Sequence, residues 1–308
     1  MQYLNEALEE FYMVQTVRGN SVATVRDYRQ KLGVFASFIG KDIPLSDLTL
    51  KLCREYYVYL TEKKMIRSVT IQAYVRSLRA FLNWLYREDY IEEDICHRFR
   101  LPKAKRAYID ILTDDEINRL YSLWTPPVKW VNFRNLVIIS LMLDCGLRLN
   151  EVVTAEWGRL HINERYIIVD GKGGKQRAVP FGNSTRDYLL MYEKITPKIG
   201  ALIISGSRDG SVKLPPEPVG QETIKDLFRV IKRKSGIARL HPHLLRHTFA
   251  TRYLENGGNI YALQMILGHT QLTMVQKYLH LASRKVREDF INYSPLDRYQ
   301  DEKEKAAD

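Results

Sequence analysis

The segment His241–His280, HPHLLRHTFATRYLENGGNIYALQMILGHTQLTMVQKYLH, holds five of the chain's seven histidines. Pro242 suits the first turn of a helix. His243 and Arg246 lie three residues apart and so share a helical face, while Phe249, Ala250, Tyr253 and Leu254 supply a buried side. Gly257 and Gly258 end that helix, and Asn259 can cap a second with Ile260, Leu263, Ile266 and Leu267 inward. Gly268 closes the second helix with His269 just outside, and a last short helix from about Thr273 carries Tyr278. Cationic and protonatable groups gathered ahead of a tyrosine suit chemistry on an anion.

His243 and His247 have the i, i+4 spacing of a zinc helix. Leu244 stands where H-E-x-x-H requires its glutamate, however, and Arg246 between the histidines would repel a dication. No metal is expected. His247 is read as a core residue. A phosphodiester site needs cations and hydrogen-bond donors around the non-bridging oxygens, an in-line nucleophile and a proton donor for the leaving group. Arg246 can contact phosphate with two prongs, as can Arg148 further upstream. Tyr278 can attack once its ordinary pKa, about 10, is lowered or its proton is taken.

Upstream, an apolar helix is expected from about Phe133 to Cys145, ended by Gly146, with Arg148 at its mouth. Glu151, three residues on, can pair with that arginine. Thr113 and Glu116 fit a capping box, with Leu112 and Ile117 as its staple. Alternating segments at 159–162, 165–169 and 177–180 read as strands, and DGKGGKQR between the last two reads as a hairpin with Lys172 and Lys175 at its tip. This hairpin lacks phosphate-loop spacing and leads into a strand, so a mobile lysine fits it better than a nucleotide loop. A helix is expected at 184–195, a short strand at 202–204, and a helix at 223–234 whose Lys225, Arg229, Lys232 and Arg233 lie around an apolar face of Ile224, Leu227, Phe228 and Ile231.

The first hundred residues read as nearly all helix. Ser21 caps one segment that Gly40 stops, a second starts near Thr49, and a third starts at Ser68 with Arg67, Arg76, Arg79 and Arg87 on or beside its polar side. Such helices joined by short turns make a bundle. RFRLPKAKRAY (98–108) breaks the pattern, and its Lys103, Lys105 and Arg106 make a basic connector.

The chain has 308 residues, enough for two domains, and 47 basic against 36 acidic side chains give a formal charge of +11. That excess attracts polyanions, nucleic acid first among them. Three scattered cysteines, Cys53, Cys96 and Cys145, suit a reduced compartment and exclude a zinc ribbon. The acidic start MQYLNEALEEFY lacks signal-peptide order, and no run is long enough to span a bilayer. A cytoplasmic location is expected.

GLRLNE (146–151), GKGGKQR (171–177), HLLRH (243–247), LGH (267–269) and the tyrosine of KYLH (277–280) resemble, in this order, the tyrosine recombinases. That family takes in phage integrases, Xer-type chromosome-dimer recombinases and transposon integrases. The helical N-terminal region also resembles the family's core-binding domain, so the likeness covers most of the chain.

The resemblance implies a mainly α fold with a small β-sheet. Its parts would be a SAM-like, DNA-binding helical bundle over 1–100, a linker over 101–108 and an α+β catalytic domain over 109–308. It implies Arg148 and Arg246 as the clamp on the scissile phosphate, with Glu151 as the supporting acid beside the first. Lys172 would protonate the leaving 5′-oxygen, His243 would accept a proton or hold phosphate, and His269 would hydrogen-bond the phosphate. Tyr278 would become joined to the DNA 3′-phosphate, with neither metal, ATP nor other cofactor. Arg76, Arg79, Lys103, Lys105, Arg106, Lys175, Arg177, Lys225, Arg229 and Lys232 are assigned to DNA contact. The partners implied are duplex recombination sites and three further copies in a tetramer, with accessory proteins as an addition. The segment 283–293 would dock on a neighbouring protomer. A type IB topoisomerase and a non-cleaving DNA-binding regulator are the rival readings.

Overall fold

The computed structural model describes residues 3–62, 68–99, 110–124, 129–171, 174–206, 212, 215–269, 271, 272, 275 and 278. The chain divides into two compact units, residues 1–107 and 108–308. Among the described residues no helix is long and apolar enough to cross a membrane.

The first unit is helical: α1 (Leu4–Val17), α2 (Val22–Ile39), α3 (Leu50–Glu62), α4 (Ser68–Arg87) and the short α5 (Ile95–Arg98). The Ser21 hydroxyl accepts from the Thr24 N–H at 3.2 Å to start α2, and Gly40 ends it with a left-handed φ of +77°. Along α4, Ile71, Val75, Leu78, Leu82 and Leu85 recur every three or four residues and are all buried, which makes one stripe. That stripe packs against α1, α2 and α3. Phe11, Phe81 and Trp84 meet there with ring centroids 5.5–6.0 Å apart.

The second unit contains α6 (Asp114–Ser122), α7 (Trp130–Leu143), α8 (Leu149–Val153), β1 (Leu160–His161), β2 (Tyr166–Asp170), β3 (Gln176–Pro180), α9 (Asn183–Glu193), α10 (Gln221–Ser235), α11 (Pro242–Glu255) and α12 (Ile260–Leu267). The expected capping box on α6 is present, with Thr113 and Glu116 bonding reciprocally. Central α7 is buried from Arg134 to Met142 and packs against α8, α9 and α11. It starts three residues before the expected Phe133 and stops at Leu143. Asp144 then turns away, accepting from the Gly182 N–H at 2.8 Å and the Thr185 hydroxyl at 2.6 Å.

The sheet is antiparallel in the order β1-β2-β3, with the inward Ile167 opposite the inward Val179. The Gly171 N–H donates to the Lys175 carbonyl at 2.7 Å and closes the hairpin. Residues 202–204, expected as a strand, form no regular one. They are buried and flanked by single antiparallel bridges, Glu156 to Ala201 and Ile204 to Pro218. Pro218 has no N–H to extend a ladder.

Two anchors fix α11. The Thr248 hydroxyl accepts from the Leu112 N–H at 2.9 Å, and Arg239, just ahead of α11, grips both Glu116 oxygens at 2.5 and 2.7 Å. With α11 set between α7 and α12, its Arg246 reaches the ends of both.

Candidate active site

Glu151 is the centre of the cluster. Its carboxylate is buried in the first turn of α8, where Arg148 at the N-cap donates twice to it. The Arg148 backbone N–H reaches Oε2 and its Nη1 reaches Oε1, both at 2.8 Å. From β3, Arg177 forks both oxygens at 2.9 Å each, and its Nε donates to the Ile266 carbonyl at 2.6 Å. Arg246 lies 4.0 Å from the same carboxylate. Burial alone would raise the Glu151 carboxyl, but the hydrogen bonds from Arg177 and from the Arg148 backbone outweigh it. The carboxyl is held below the usual carboxylate range.

Arg246 is buried, and two carbonyls orient it. Nη1 donates to Gly146 at 2.5 Å and Nη2 to Leu267 at 2.7 Å, with His269 Nε2 3.2 Å from Nη2. Burial, then the charge of Arg148, lowers its pKa to about 10, which leaves it protonated at neutral pH. Three guanidiniums thus surround one carboxylate, an excess of positive charge in a partly dehydrated site. An anion there satisfies what Glu151 alone cannot. Arg148, with a third of its side chain exposed, is the member open to solvent.

The glycines at the two helix ends make the approach possible. Gly146 has φ +63°, and a Cβ there would lie 2.4 Å from the Phe249 ring. Gly268 has φ +64°, and a Cβ there would sit 3.1 Å from Arg177 Cδ and Nε. The left-handed backbone strains any other residue at both positions, and at Gly146 a side chain would also collide with the Phe249 ring.

Tyr278 is buried with Ala250, Leu254, Leu263, Leu267 and Val275, and its hydroxyl is 2.8 Å from His247 Nδ1. Burial pushes its pKa up to about 12, with Arg246 and Arg148 pulling the other way. His247, expected to be a satisfied core residue, is partly buried and has the Tyr278 hydroxyl as a partner. The pattern does carry a signal for this, since 247, 250, 251 and 254 fall on one helical face. His243 is exposed, its ring 6.4 Å from that of His247. Lys172 lies outside the described residues, as do Lys103, Lys105, Arg106 and the segment 283–293.

The other basic positions divide. Arg76, Lys175, Lys225 and Arg229 are exposed, while Arg79 and Lys232 are half-buried. Lys225 pairs with Glu222 at 2.5 Å and Arg229 pairs with Asp226, surface contacts weak enough for a phosphate to replace. Arg177 departs from its expected place. Only 11% of its side chain is exposed, and all its described bonds go to Glu151 and Ile266. The period-two alternation of β3 puts it on the face of the buried Val179. Among the described residues no three His, Cys, Asp or Glu side chains converge as metal ligands.

Residues 110–285 match the model of the phage integrase family, and residues 2–101 match that of the phage integrase SAM-like domain. The chain is 27% identical over 297 residues to the tyrosine recombinase XerC of Staphylococcus carnosus, covering 95% of this chain and 98% of that one. It is 27% identical over 299 residues to the tyrosine recombinase XerD of Oceanobacillus iheyensis, covering 95% and 99%. In fold it is similar to the Tn1549 transposon integrase in complex with transposon right end DNA, at a TM-score of 0.72 and 19% identity over 94% of this chain and 99% of that one. A lambda integrase dimer bound to a core site gives 0.70 at 21% identity, over 90% and 95%. With the helical unit matched by one family model and the Arg–Glu cluster and Tyr278 inside the other, the chain belongs to the phage integrase family.

Proposed function

We propose that the protein is a site-specific DNA recombinase that cuts and rejoins duplex DNA through an ester on Tyr278. The observation that carries this reading is the cluster of Arg148, Arg177 and Arg246 on the buried Glu151 carboxylate, with Tyr278 packed in the same buried cluster as Leu267, whose carbonyl Arg246 holds. The similarity to XerC and XerD over nearly the whole chain supports it and does not favour a topoisomerase or a non-cleaving regulator.

In the reaction the Tyr278 oxygen attacks the scissile phosphorus, the P–O5′ bond breaks and a 3′-phosphotyrosine forms. The 5′-oxygen leaves with a proton, which Lys172 supplies. A new 5′-hydroxyl then reverses the step, so phosphodiester energy is conserved and neither ATP nor metal enters. Arg148 and Arg246 bind the non-bridging oxygens, where a two-pronged guanidinium stabilises charge that grows in the transition state. His269, beside Arg246, adds a donor to the same phosphate, and the exposed His243 serves as proton acceptor or phosphate ligand. Glu151 orients the two arginines.

The tyrosine must first leave His247. Buried, and with its pKa near 12, it is a poor nucleophile at neutral pH. Residues 1–100 serve as the core-binding domain, 101–108 as the linker and 109–308 as the catalytic domain. Four copies act on two synapsed sites in the cytoplasm.

The test is covalent capture. The chain is incubated with fragmented genomic DNA and denatured, and the DNA attached to protein is sequenced. Wild type should yield adducts at a defined sequence in excess chelator. Tyr278→Phe should bind the same duplex and yield none. Adducts that persist in the phenylalanine variant assign the nucleophile elsewhere.

A further inference from the structure

Arg177 sits where three separate segments of the catalytic unit meet. Its Nη1 and Nη2 take the two oxygens of Glu151 at 2.9 Å each, in the first turn of α8. Its Nε takes the Ile266 carbonyl at 2.6 Å, near the end of α12. Its own backbone lies in β3, opposite Val169 of β2. Gly268 gives it room, because a side chain there would press on the Arg177 Cδ, Nε and Cζ at 3.1–3.2 Å. Each tied segment adjoins a residue that the proposed reaction uses. Arg148 bonds the same Glu151, His269 follows Gly268, and Lys172 comes five residues before Arg177 in the chain.

Resting on the recombinase reading, we propose that Arg177 is a positioning residue for the phosphate site. Its guanidinium fastens the hairpin, the Glu151–Arg148 pair and the end of α12 into one arrangement and touches no DNA. The three-point geometry is what argues for this role. Both arms of its fork go to one carboxylate and its Nε to a carbonyl on another segment, so the guanidinium is committed to joining them. A lysine at the same place can reach one oxygen but cannot hold two oxygens and a carbonyl in one plane.

The test uses the full chain and the duplex recovered by adduct capture, nicked beside the cut so that the ester accumulates. Adduct formation is followed at saturating DNA, well below the melting transition, and expressed per folded protein by circular dichroism. Arg177→Gln should slow the step on the order of a hundredfold, the scale of a misplacement of about 1 Å in a reacting site. The duplex Kd and its salt dependence should match wild type. Arg177→Lys should fall between the two. In an Glu151→Gln background, Arg177→Gln should cost much less than it does alone, because its main partner has already changed.

A wild-type rate at saturation overturns the proposal, and so does full additivity with Glu151→Gln. A defect confined to Kd, with a salt slope lower by about one, makes Arg177 a phosphate contact instead and also overturns it. If Arg177→Gln does not fold, Arg177→Lys and the double variant, which removes both charges, decide by the same readings. A wild-type chain that forms no adduct sinks the recombinase reading itself, a result distinct from an Arg177 variant that cleaves normally.

Discussion

Glu151 is the residue whose loss should change the most. Its single charge offsets three guanidiniums, two of them largely buried, so Glu151→Gln keeps the shape and leaves the cations uncompensated. Breaking a buried pair in this way costs about 3–5 kcal/mol. The melting temperature of the variant should fall, and added sulfate should recover more of it than in wild type. The sign of the pH dependence follows from the lowered carboxyl. The folded state binds the proton less readily than the unfolded chain, so the stabilisation is complete above the ordinary glutamate value, about 4.3. It is lost as pH falls through the depressed folded value. Thermal melts of the two proteins should therefore converge in acid and diverge toward neutrality. Equal separation at all pH would show that the charge of Glu151 is not what stabilises the cluster.

At the scale of elements, the site is made where helix ends converge, and glycine permits it. The end of α7 meets α11 and α12 so closely that Gly146 touches the Phe249 ring and passes its carbonyl to Arg246. Gly146→Ala adds overpacking, about 1–3 kcal/mol, to the strain of a left-handed alanine. Gly236 in the same unit has a similar φ of +72°, but the nearest atom to a Cβ there is 3.8 Å away. Urea unfolding should show the larger loss for Gly146→Ala and only about 1 kcal/mol for Gly236→Ala. Equal losses would mean that the contact with Phe249 relaxes freely. Most elements were legible in the chain because their signals are local. Ser21 and Gly40 bound α2, and the Thr113–Glu116 box starts α6. Residues 202–204 misled because an apolar run bounded by turns reads as a strand whether or not a partner strand exists.

The whole molecule keeps several phenols away from water. Burial raises Tyr12, Tyr121, Tyr192 and Tyr278 to about 12, and raises Tyr56 as well. A raised phenol keeps its proton in the folded state while the unfolded chain gives it up near pH 10. Stability is then intact below that pH and falls as pH climbs toward the folded values, by about 1.4 kcal/mol per unit for each such group. Ultraviolet difference spectroscopy should show the exposed phenols titrating first. The buried set should ionise only as near-ultraviolet circular dichroism reports loss of packing. Early titration of all phenols with the fold intact would contradict this burial.

The sequence by itself determined the helices with their caps, the hairpin, the basic excess and the ordered set Arg148, Glu151, Arg246, His269 and Tyr278. Each depends on residue type and on spacing along a few turns of chain. Only the tertiary structure decided who holds whom. Arg177 moved from the expected DNA face to the Glu151 carboxylate, and His247, expected as a satisfied core residue, took the Tyr278 hydroxyl as a partner. The physical reason is that a guanidinium has donors that suit a phosphate or a carboxylate alike, and an imidazole can bond a phosphate or a phenol. The choice among them depends on which group the fold brings within 3 Å, and the partners here lie 26 and 31 residues away.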